Sequence, residues 1–370
     1  MVDKKPIIGI MSLQAVNNYG SYLQAYATQT LFETCGFEVF FFNYIPKFAR
    51  FWGLIKHWTN WNPIKIIIML PTIARWSWIF KAYRSRRIHF SDRRYFNNED
   101  LKKYPVKCDA LCVGSDQVWN SIWNKGILPE FYLEFADDNV FKFSFASSFG
   151  RQNIEANEVN ITRQWLKRFN KLSVREKSAN DILKKCYGIN DTEVILDPTL
   201  LITAEEWRRI SSKRIIRQKY IVIYNLFRSK EFDDFAVKLS KETGLMLVRI
   251  CFRYDQILRV GHSVLLPTIP DFLSLIDNAE YVLTDSFHGT AFSINFNKYP
   301  ICYLPPKFST RIKEFLHRID AEDRIVKSSE DFYGINKNLD FVEINKILDY
   351  EREKSISFLR KIHEEICSSK

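Results

Sequence analysis

The apolar residues of this chain fall into short, nearly continuous runs that alternate with longer stretches of helical spacing. Pro6–Ser12 is one such run, and Tyr22–Cys35 repeats apolar residues at intervals of three and four. A continuous run is typical of a strand covered on both faces, and the second spacing is typical of an amphipathic helix. With Phe37–Asn43 as the next strand, the pattern predicts a strand–helix–strand unit whose helix Ser21 would cap.

The same alternation continues along the chain and restarts after about residue 200. A chain of 370 residues is longer than a single hydrophobic core usually accommodates, so two domains are expected. The sequence therefore predicts an α/β fold in which two Rossmann-like domains, residues 1–200 and 201–340, face a cleft, and a C-terminal helix in 341–370 packs back. The further predicted strands are Asp109–Gly114, Val140–Ser148, Lys171–Arg175, Glu193–Leu196, Lys219–Asn225, Gly244–Ile250, Glu280–Thr284 and Tyr299–Leu304.

Residues 48–95 interrupt the alternation with tryptophans and basic residues, and Asp92 is the acidic exception among them. Tryptophan and basic residues on amphipathic helices suit a membrane interface, so we predict a helical insertion that contacts the membrane surface. A helical pair that packs its aromatic residues on the domain is the alternative. Nucleic acid is not an expected partner, because no recognisable nucleic-acid module accompanies the basic residues.

Charge and cysteine content narrow the possible compartments and ligands. The excess of 54 Lys and Arg over 43 Asp and Glu gives a net charge of +11, which suits an anionic substrate, a phospholipid surface or nucleic acid. The seven cysteines are an odd count beside apolar runs, which indicates reduced residues in a cytosol. We expect no metal, because no ligand cluster is visible, and no membrane span, because the most apolar stretch, Ile64–Ile73, is too short.

Polar turns follow several predicted strands, and ligands of open α/β sheets bind at such strand ends. After the first strand, Asn17, Gly20 and Gln24 are therefore candidates, with a purely structural turn as the alternative. The turn 285–289 lies between a strand and a helix predicted to open at about Thr290. A helix N-terminus attracts anions, a glycine allows close approach of a ligand, and His288 can exchange a proton near neutral pH. The alternative is a histidine that only caps the helix.

Taken in order, five of these turns resemble the polysaccharide pyruvyl transferase family, over about residues 6–330. The resemblance implies a two-domain fold similar to the GT-B glycosyltransferases. It also implies phosphoenolpyruvate as a co-substrate, with no further cofactor, and a sugar of a capsular polysaccharide or exopolysaccharide precursor as acceptor. The motifs are Asn18-Tyr19-Gly20, Gly114-Ser115-Asp116-Gln117-Val118-Trp119, Ser173-Val174-Arg175, Asp197-Pro198-Thr199 and Thr284-Asp285-Ser286-Phe287-His288-Gly289.

The resemblance also implies roles for single residues. His288 would be the proton donor or base, and Asp116, Asp197 and Asp285 compete to take the protons of the acceptor hydroxyls. Asp285 would otherwise orient His288, Asp197 would cap the next segment, and Arg175 would pair with a neighbouring acid. Expected contacts of phosphoenolpyruvate are Arg175, Lys307, Ser286, Gly289, Thr290, Ser309 and Arg311. Expected contacts of the acceptor are Asn17, Asn18, Tyr19, Gly20, Gln24, Ser115, Gln117 and Trp119.

Three hypotheses of function follow. The first is a ketal-forming pyruvyl transferase, cytoplasmic and peripheral at the inner face of the cytoplasmic membrane, whose acceptor is linked to undecaprenyl diphosphate. The second is a GT-B glycosyltransferase that uses a nucleotide sugar. The third is a non-catalytic assembly protein at the membrane.

Overall fold

The computed structural model describes residues 5–304, 309–326, 328 and 337–368. Strands and helices alternate along most of this length and are numbered here in chain order. The strands are β1 (Ile7–Met11), β2 (Glu38–Tyr44), β3 (Phe90–Tyr95), β4 (Ala110–Val113), β5 (Phe141–Ser144), β6 (Leu172–Val174), β7 (Thr192–Val194), β8 (Tyr220–Tyr224), β9 (Met246–Cys251), β10 (His262–Leu265), β11 (Tyr281–Thr284), β12 (Tyr299–Tyr303) and β13 (Ile325–Val326). The helices are α1 (Tyr19–Thr34), α2 (Phe51–Thr59), α3 (Pro63–Arg87), α4 (Asn98–Lys103), α5 (Ser121–Asn124), α6 (Ala156–Leu166), α7 (Lys177–Ile182), α8 (Pro198–Leu201), α9 (Ala204–Ile210), α10 (Lys230–Thr243), α11 (Ile269–Asp277), α12 (Phe287–Asn295), α13 (Thr310–Arg318) and α14 (Phe341–Ser368).

The chain forms two compact units. Unit 1 consists of Met1–His57, Phe80–Leu201 and Tyr350–Lys370, and unit 2 consists of Trp58–Ile79 and Ile202–Asp349. The boundary at Leu201 lies within one residue of the predicted boundary. Two predicted segments are each divided between the units: the helical insertion of residues 48–95 and the C-terminal helix.

Unit 1 is built on a parallel sheet in the order β3-β2-β1-β4-β5. Its central strands are buried, which fits their continuous apolar sequences. Helix α1 begins three residues before the predicted Tyr22. Asn18 is its N-cap, with Oδ1 accepting from the N–H of Gly20 at 2.8 Å and of Ser21 at 3.3 Å, so the prediction that Ser21 caps this helix is wrong. An amide side chain at this position satisfies two of the unpaired N–H groups of the first turn.

The last part of the predicted insertion is a strand. Phe90–Tyr95 pairs in parallel with β2 at the edge of the sheet, and Arg93 and Arg94 are exposed on it. Charged residues are common on edge strands, where they oppose pairing with another chain. The basic residues at this end of the insertion therefore belong to the sheet of unit 1.

The C-terminal helix α14 returns to unit 1, as predicted. Ser355 is fully buried in it, and its Oγ accepts from the N–H of Leu196 at 3.3 Å. Phe358 stacks with Phe145 of the sheet layer at 6.4 Å between ring centroids. The remaining apolar residues of this stretch are buried in the same way: Leu359, Ile362 and Ile366.

Unit 2 has a six-stranded parallel sheet in the order β10-β9-β8-β11-β12-β13. Strand β8 is buried along its whole length, and the apolar residues of α10 pack on the sheet. Strands β10 and β13 were not predicted from the sequence. Because β11 lies between β8 and β12 and pairs in parallel with both, the carboxyl ends of these three strands lie side by side at one edge of the sheet.

The helices α2 and α3 occupy the rest of the predicted insertion. Within the described residues, α3 is the helix whose length and composition would allow it to cross a membrane. We predicted no such segment, because the uninterrupted apolar run ends at Pro71. The helix continues through that proline, which places Ile73 and Trp76 in the same element.

Candidate active site

In unit 1, the polar turns converge on one buried arginine. Arg175 follows β6, and its side chain is 1% exposed. Its Nη1 lies 2.5 Å from Oδ2 of Asp197, its Nη2 lies 3.3 Å from Oδ1 of Asp116, and its Nε lies 3.4 Å from Oε2 of Glu176. Burial alone would lower the pKa of this guanidinium, but the three carboxylates raise it above its ordinary value. Arg175 is therefore a buried cation that three acids surround.

The aspartates of this cluster are also bound by their own loops. Asp197 accepts from the N–H of Thr199 at 3.0 Å and from its hydroxyl at 2.7 Å, which is the capping role left open by the sequence. Its other oxygen accepts from Ser115 Oγ at 3.1 Å. Asp116 accepts from Ser21 Oγ at 2.7 Å. These contacts join the first turn of α1 and the turns after β4, β6 and β7 into one network, and they occupy groups expected to bind phosphoenolpyruvate or to act as bases.

The candidate acceptor residues lie in or beside this network. Gln24 is fully buried and donates to Ser12 Oγ at 3.1 Å, and Gln117 accepts from Asn120 at 2.7 Å. Asn17 accepts from Arg84 at 3.0 Å, and the N–H of Gly20 donates to the capping Asn18. The structure therefore gives these residues hydrogen-bond partners within unit 1.

Two of the expected acceptor contacts are core residues. Tyr19 has no exposed surface, and its ring lies 5.5 Å from that of Phe80. Trp119 is 1% exposed and donates from Nε1 to the carbonyl of Phe131 at 2.9 Å. Aromatic rings of this kind supply much of the burial that stabilises a core. The prediction that Tyr19 and Trp119 bind a sugar is therefore wrong for this structure.

In unit 2, the turn after β11 runs directly into helix α12. Ser286 is its N-cap, with Oγ accepting from the N–H of Gly289 at 3.4 Å, and the helix begins at Phe287 rather than Thr290. His288 is the second residue of the helix and is 6% exposed. The positive end of the helix dipole surrounds this position and favours an anion. The imidazole is thus held on a rigid element at the carboxyl end of a central strand.

Asp285 joins the turn after β11 to the turn after β8. Its Oδ1 accepts from the N–H of Leu226 at 2.7 Å, and its Oδ2 accepts from the N–H of Phe227 at 2.9 Å and from Asn225 Nδ2 at 2.8 Å. Burial raises the pKa of this carboxyl to about 6, against the lowering effect of these donors. The contacts show a carboxylate that orders two loops, whereas the sequence suggested that it orients His288.

Gly289 is required by close packing inside unit 2. A Cβ added there would lie 2.4 Å from Oγ1 of Thr284 and 2.9 Å from Cδ1 of Tyr224. The glycine therefore allows α12 to pack closely on the two strands, and the expectation that a ligand also approaches it stays a prediction. Thr290 is also buried, and its Oγ1 lies 3.1 Å from the carbonyl of Ser286 and 3.2 Å from Sγ of Cys302. Its hydroxyl is used inside the unit, so the prediction that it contacts phosphate is not supported.

The first turn of α13 contributes Arg311, whose guanidinium lies 5.6 Å from the centre of the Phe287 ring. The same ring contacts His288 edge-on at 5.2 Å. Arg311 and His288 are thus grouped around one aromatic side chain. Ser309 is the residue before α13, and Lys307 lies outside the described residues.

Two residues of these clusters, Asn225 and Arg259, were not predicted. Asn225 binds Asp285 through Nδ2 and accepts from Arg259 Nη1 at 2.9 Å through Oδ1, and Arg259 in turn pairs with Asp233 at 2.7 Å. Asn225 directly follows β8, the same strand-end signal that identified the other turns. Glu176 is one of the neighbouring acids that the sequence offered as a partner of Arg175, and the pair is buried rather than at the surface. No signal in the sequence points to Arg259, because its partners lie far from it along the chain.

Among the side chains that the structure describes, no group of three or more His, Cys, Asp or Glu residues is arranged to hold a metal ion. The acids of unit 1 instead surround a guanidinium.

The sequence profile of polysaccharide pyruvyl transferases matches residues 18–305, which include both clusters of turns. The chain belongs to the polysaccharide pyruvyl transferase family. It is therefore a transferase, and a sugar of a polysaccharide is the acceptor that the family implies. A comparison with curated protein sequences gives no match.

Solved structures place this pyruvyl transferase among GT-B proteins. The chain is similar to UDP-GlcNAc 2-epimerase from Neisseria meningitidis bound to UDP-GlcNAc, with a TM-score of 0.52 and 10% identity over 98% of this chain and 100% of that chain. It is similar to Arabidopsis thaliana UGT89C1 complexed with UDP-L-rhamnose, with a TM-score of 0.53 and 8% identity over 98% and 100%. The Methanocaldococcus jannaschii UDP-GlcNAc 2-epimerase in complex with UDP-GlcNAc and UDP gives a TM-score of 0.52 and 12% identity over 96% and 98%. At these identities the likeness shows the fold alone.

Proposed function

We propose that this family member moves the enolpyruvyl group of phosphoenolpyruvate onto a sugar of a capsular polysaccharide or exopolysaccharide precursor, forming a pyruvate ketal and releasing phosphate. The observation that carries the proposal is the position of His288. It lies at the N-terminal end of α12, beside Asp285, in the part of the chain that matches the family. An anion-attracting helix end next to a proton carrier is the combination that this reaction needs.

The reaction begins with a proton. Transfer of a proton to the methylene carbon of phosphoenolpyruvate makes a methyl group and leaves positive charge at the neighbouring carbon, to which a sugar hydroxyl adds with loss of its own proton. A second hydroxyl of the same sugar then displaces phosphate from that carbon and closes the ketal ring. One proton is gained by carbon, two are lost by hydroxyls, and the remaining one leaves with the phosphate or solvent.

The residues of unit 2 divide these steps between them. We assign the proton transfer to carbon to His288, and the binding of the phosphate to the N-terminal end of α12 with Ser286. Asp285 is the carboxylate we assign to the hydroxyl protons, because its pKa of about 6 allows it to be ionised at neutral pH and to accept one. Asp116 and Asp197 are paired with Arg175 and hold the turns of unit 1. Arg311, which lies beside Phe287, supplies positive charge next to these turns.

The acceptor belongs to the same proposal. A sugar linked to undecaprenyl diphosphate would be presented at the inner face of the cytoplasmic membrane. The basic and tryptophan-rich residues 48–95 support a peripheral position there, since such residues favour an interface with anionic lipid.

The test is phosphate release from phosphoenolpyruvate by the purified protein, with and without lipid-linked mono- and disaccharides, and with the product mass measured. We expect release only when an acceptor is present. His288→Ala should lower the rate by at least about 100-fold, because positioned proton transfer contributes about 10²–10⁴-fold. His262→Ala, at an exposed histidine of β10, is the control and should keep the wild-type rate.

Two results would contradict the proposal. Wild-type turnover by His288→Ala would show that another group moves the proton. Thermal stabilisation by a nucleoside diphosphate but not by phosphoenolpyruvate would favour a nucleotide-sugar glycosyltransferase on the same fold.

A further inference from the structure

Helix α3 carries apolar residues on two opposite sides. On one side, Met69, Ile73, Trp76 and Ile79 are buried. On the other side, residues spaced three, four and seven apart form an exposed stripe, which consists of Ile64, Ile67, Ile68, Pro71 and Trp78. Three- and four-residue steps place side chains on one face of a helix. A globular protein needs only the first of these faces for its core.

The exposed stripe is unusual for a surface. Ile67 is 74% exposed and Trp78 is 70% exposed, and Trp61 just before the helix is also exposed. Contiguous apolar surface of this kind marks an interaction site rather than ordinary solvent-facing protein. The stripe therefore requires a partner.

The charge around the stripe indicates an anionic partner. From Lys47 to Ser91 the chain contains no aspartate or glutamate, although it contains nine lysines and arginines. Lys65, Arg75 and Lys81 are exposed along α3 itself. Isoleucine and tryptophan next to uncompensated basic residues match a bilayer surface, where acyl chains lie beneath anionic headgroups.

The buried side of the helix is connected to the turns of the proposed active site. Trp76 contacts Phe252 after β9, with 5.7 Å between ring centroids, and Phe252 contacts Tyr224 at the end of β8, with 5.6 Å. The next residue is Asn225, which binds Asp285 at 2.8 Å. The exposed stripe and the Asp285–His288 turn therefore belong to one continuous packed region of unit 2.

A membrane-spanning helix does not fit these contacts. The helix is 25 residues long, which is sufficient for a span. A span would however surround the helix with lipid or with other spanning elements, whereas one side of α3 is buried against the globular unit. One exposed side and one buried side are instead typical of a helix that lies in the plane of the interface.

We propose that the exposed stripe of α3 binds the anionic phospholipid surface of a bilayer, with the helix lying flat, so that the Asp285–His288 turn is held close to membrane-linked acceptors. The proposal rests on the proposed function for its choice of acceptor. The lipid contact itself depends only on the stripe and the charges.

The test uses the full chain and sedimentation with two kinds of vesicle, phosphatidylcholine alone and phosphatidylcholine with 30% phosphatidylglycerol, a composition chosen on the order of that in anionic biological leaflets. We expect binding to the anionic vesicles to exceed binding to the neutral ones by at least about tenfold and to weaken with salt. Ile67→Glu should reduce binding at least about tenfold. Val342→Glu, at an exposed valine outside the stripe, is the matched control and should bind as the wild type does.

The outcomes separate this proposal from the proposed function. Ile67→Glu should still turn over a short-chain, water-soluble acceptor at the wild-type rate, while losing turnover of vesicle-bound acceptor. Vesicle binding without turnover of any acceptor would support the lipid contact and contradict the proposed function. The lipid contact would be overturned if the wild type did not bind vesicles or if Ile67→Glu bound them equally well. It would also be overturned if the protein stayed in the vesicles at alkaline pH, as a spanning helix would.

Discussion

The carboxylate of Asp285 forms hydrogen bonds that connect two loops. Its oxygens bind the two backbone N–H groups that follow Asn225, and they also bind the Asn225 side chain. A carboxyl group that accepts three hydrogen bonds would ordinarily be a strong acid, but its burial outweighs them and the pKa rises to about 6. The folded protein therefore favours the protonated carboxyl more than the unfolded chain does.

This shift predicts how stability depends on pH. The contribution of Asp285 is fully present below its ordinary pKa of 3.8 and is lost as pH rises through about 6. Between pH 4 and pH 7 the free energy of unfolding of the wild type should fall, relative to that of Asp285→Asn, by up to about 3 kcal/mol. Urea titrations at several pH values measure this difference. A difference that stays constant over that range would mean that the carboxyl titrates normally.

The sequence identified many of the right turns but not the partners of their residues. Asp285 and His288 were expected in a turn between a strand and a helix; Asp285 lies in that turn, and His288 is the second residue of α12. The acids around Arg175 were not expected as one set, because Asp116 is 59 residues away in the chain and Asp197 is 22 residues away. The sequence of a turn does not show whether its hydrogen-bonding side chain faces a ligand or another turn. Only the contacts in the folded structure distinguish these two cases.

Among the elements, the turns of unit 1 are joined by the buried charges around Arg175. Three carboxylates and one guanidinium are removed from water together. Such a network costs desolvation free energy and is stabilising only while its partners are all present. The network connects the ends of β4 and β6 with the start of α8. Disruption of the network should therefore destabilise all three elements together.

Removal of the cation should therefore be severe. Arg175→Met leaves the acids buried without a counter-charge, and we expect a loss of about 3–5 kcal/mol in the free energy of unfolding. Arg175→Lys keeps the positive charge but cannot bind two carboxylates at once through a planar guanidinium. Its loss in the free energy of unfolding should therefore be smaller than that of Arg175→Met.

Arg208→Met is the control for this series. Arg208 pairs with Asp277 at 2.8 Å at the surface, with its side chain 49% exposed, and its loss should cost less than about 1 kcal/mol. Chemical denaturation of the four proteins measures all of these values. If Arg175→Lys kept full stability but raised the KM for phosphoenolpyruvate, the arginine would be a ligand of the substrate, as the sequence first suggested.

Elements with strong periodicity were predicted well, and weakly apolar ones were missed. The strands β8, β11 and β12 and the helix α14 lie within a few residues of their predicted bounds. Strand β3 was missed because its sequence, Phe90–Tyr95, contains three charged residues in the middle. An edge strand needs no continuous apolar run, since half of its surface faces water. Strand β10, whose residues are exposed or half-buried, was not predicted for the same reason.

For the whole molecule, unit 1 is made of distant parts of the chain. Its sheet comes from the first 200 residues, and α14 covers it with residues from the end of the sequence. Arg352 Nε donates to the carbonyl of Leu200 at 2.8 Å, and Lys354 Nζ donates to that of Val194 at 2.8 Å. Unit 2 is inserted between these parts.

The stability of unit 1 should therefore depend on the terminal helix. Leu359→Ala removes a fully buried side chain from α14 and should cost about 2–5 kcal/mol. Tyr350→Ala changes a side chain that is 71% exposed and should cost less than about 0.5 kcal/mol. Hydrogen exchange measured on β1 and β4 locates the effect. Unchanged protection of these strands in Leu359→Ala would show that the sheet is stable without the helix.

The return of α14 also sets an order for biosynthesis. A ribosome completes the first sheet of unit 1 long before it reaches Tyr350–Lys370, so the surface that Phe358 and Leu359 cover is exposed while all of unit 2 is being translated. Nascent chains with such a surface depend on chaperones or on fast elongation to avoid aggregation. Any truncated product that stops within residues 202–349 would contain the complete five-stranded sheet of unit 1 but lack the residues of α14 that cover it.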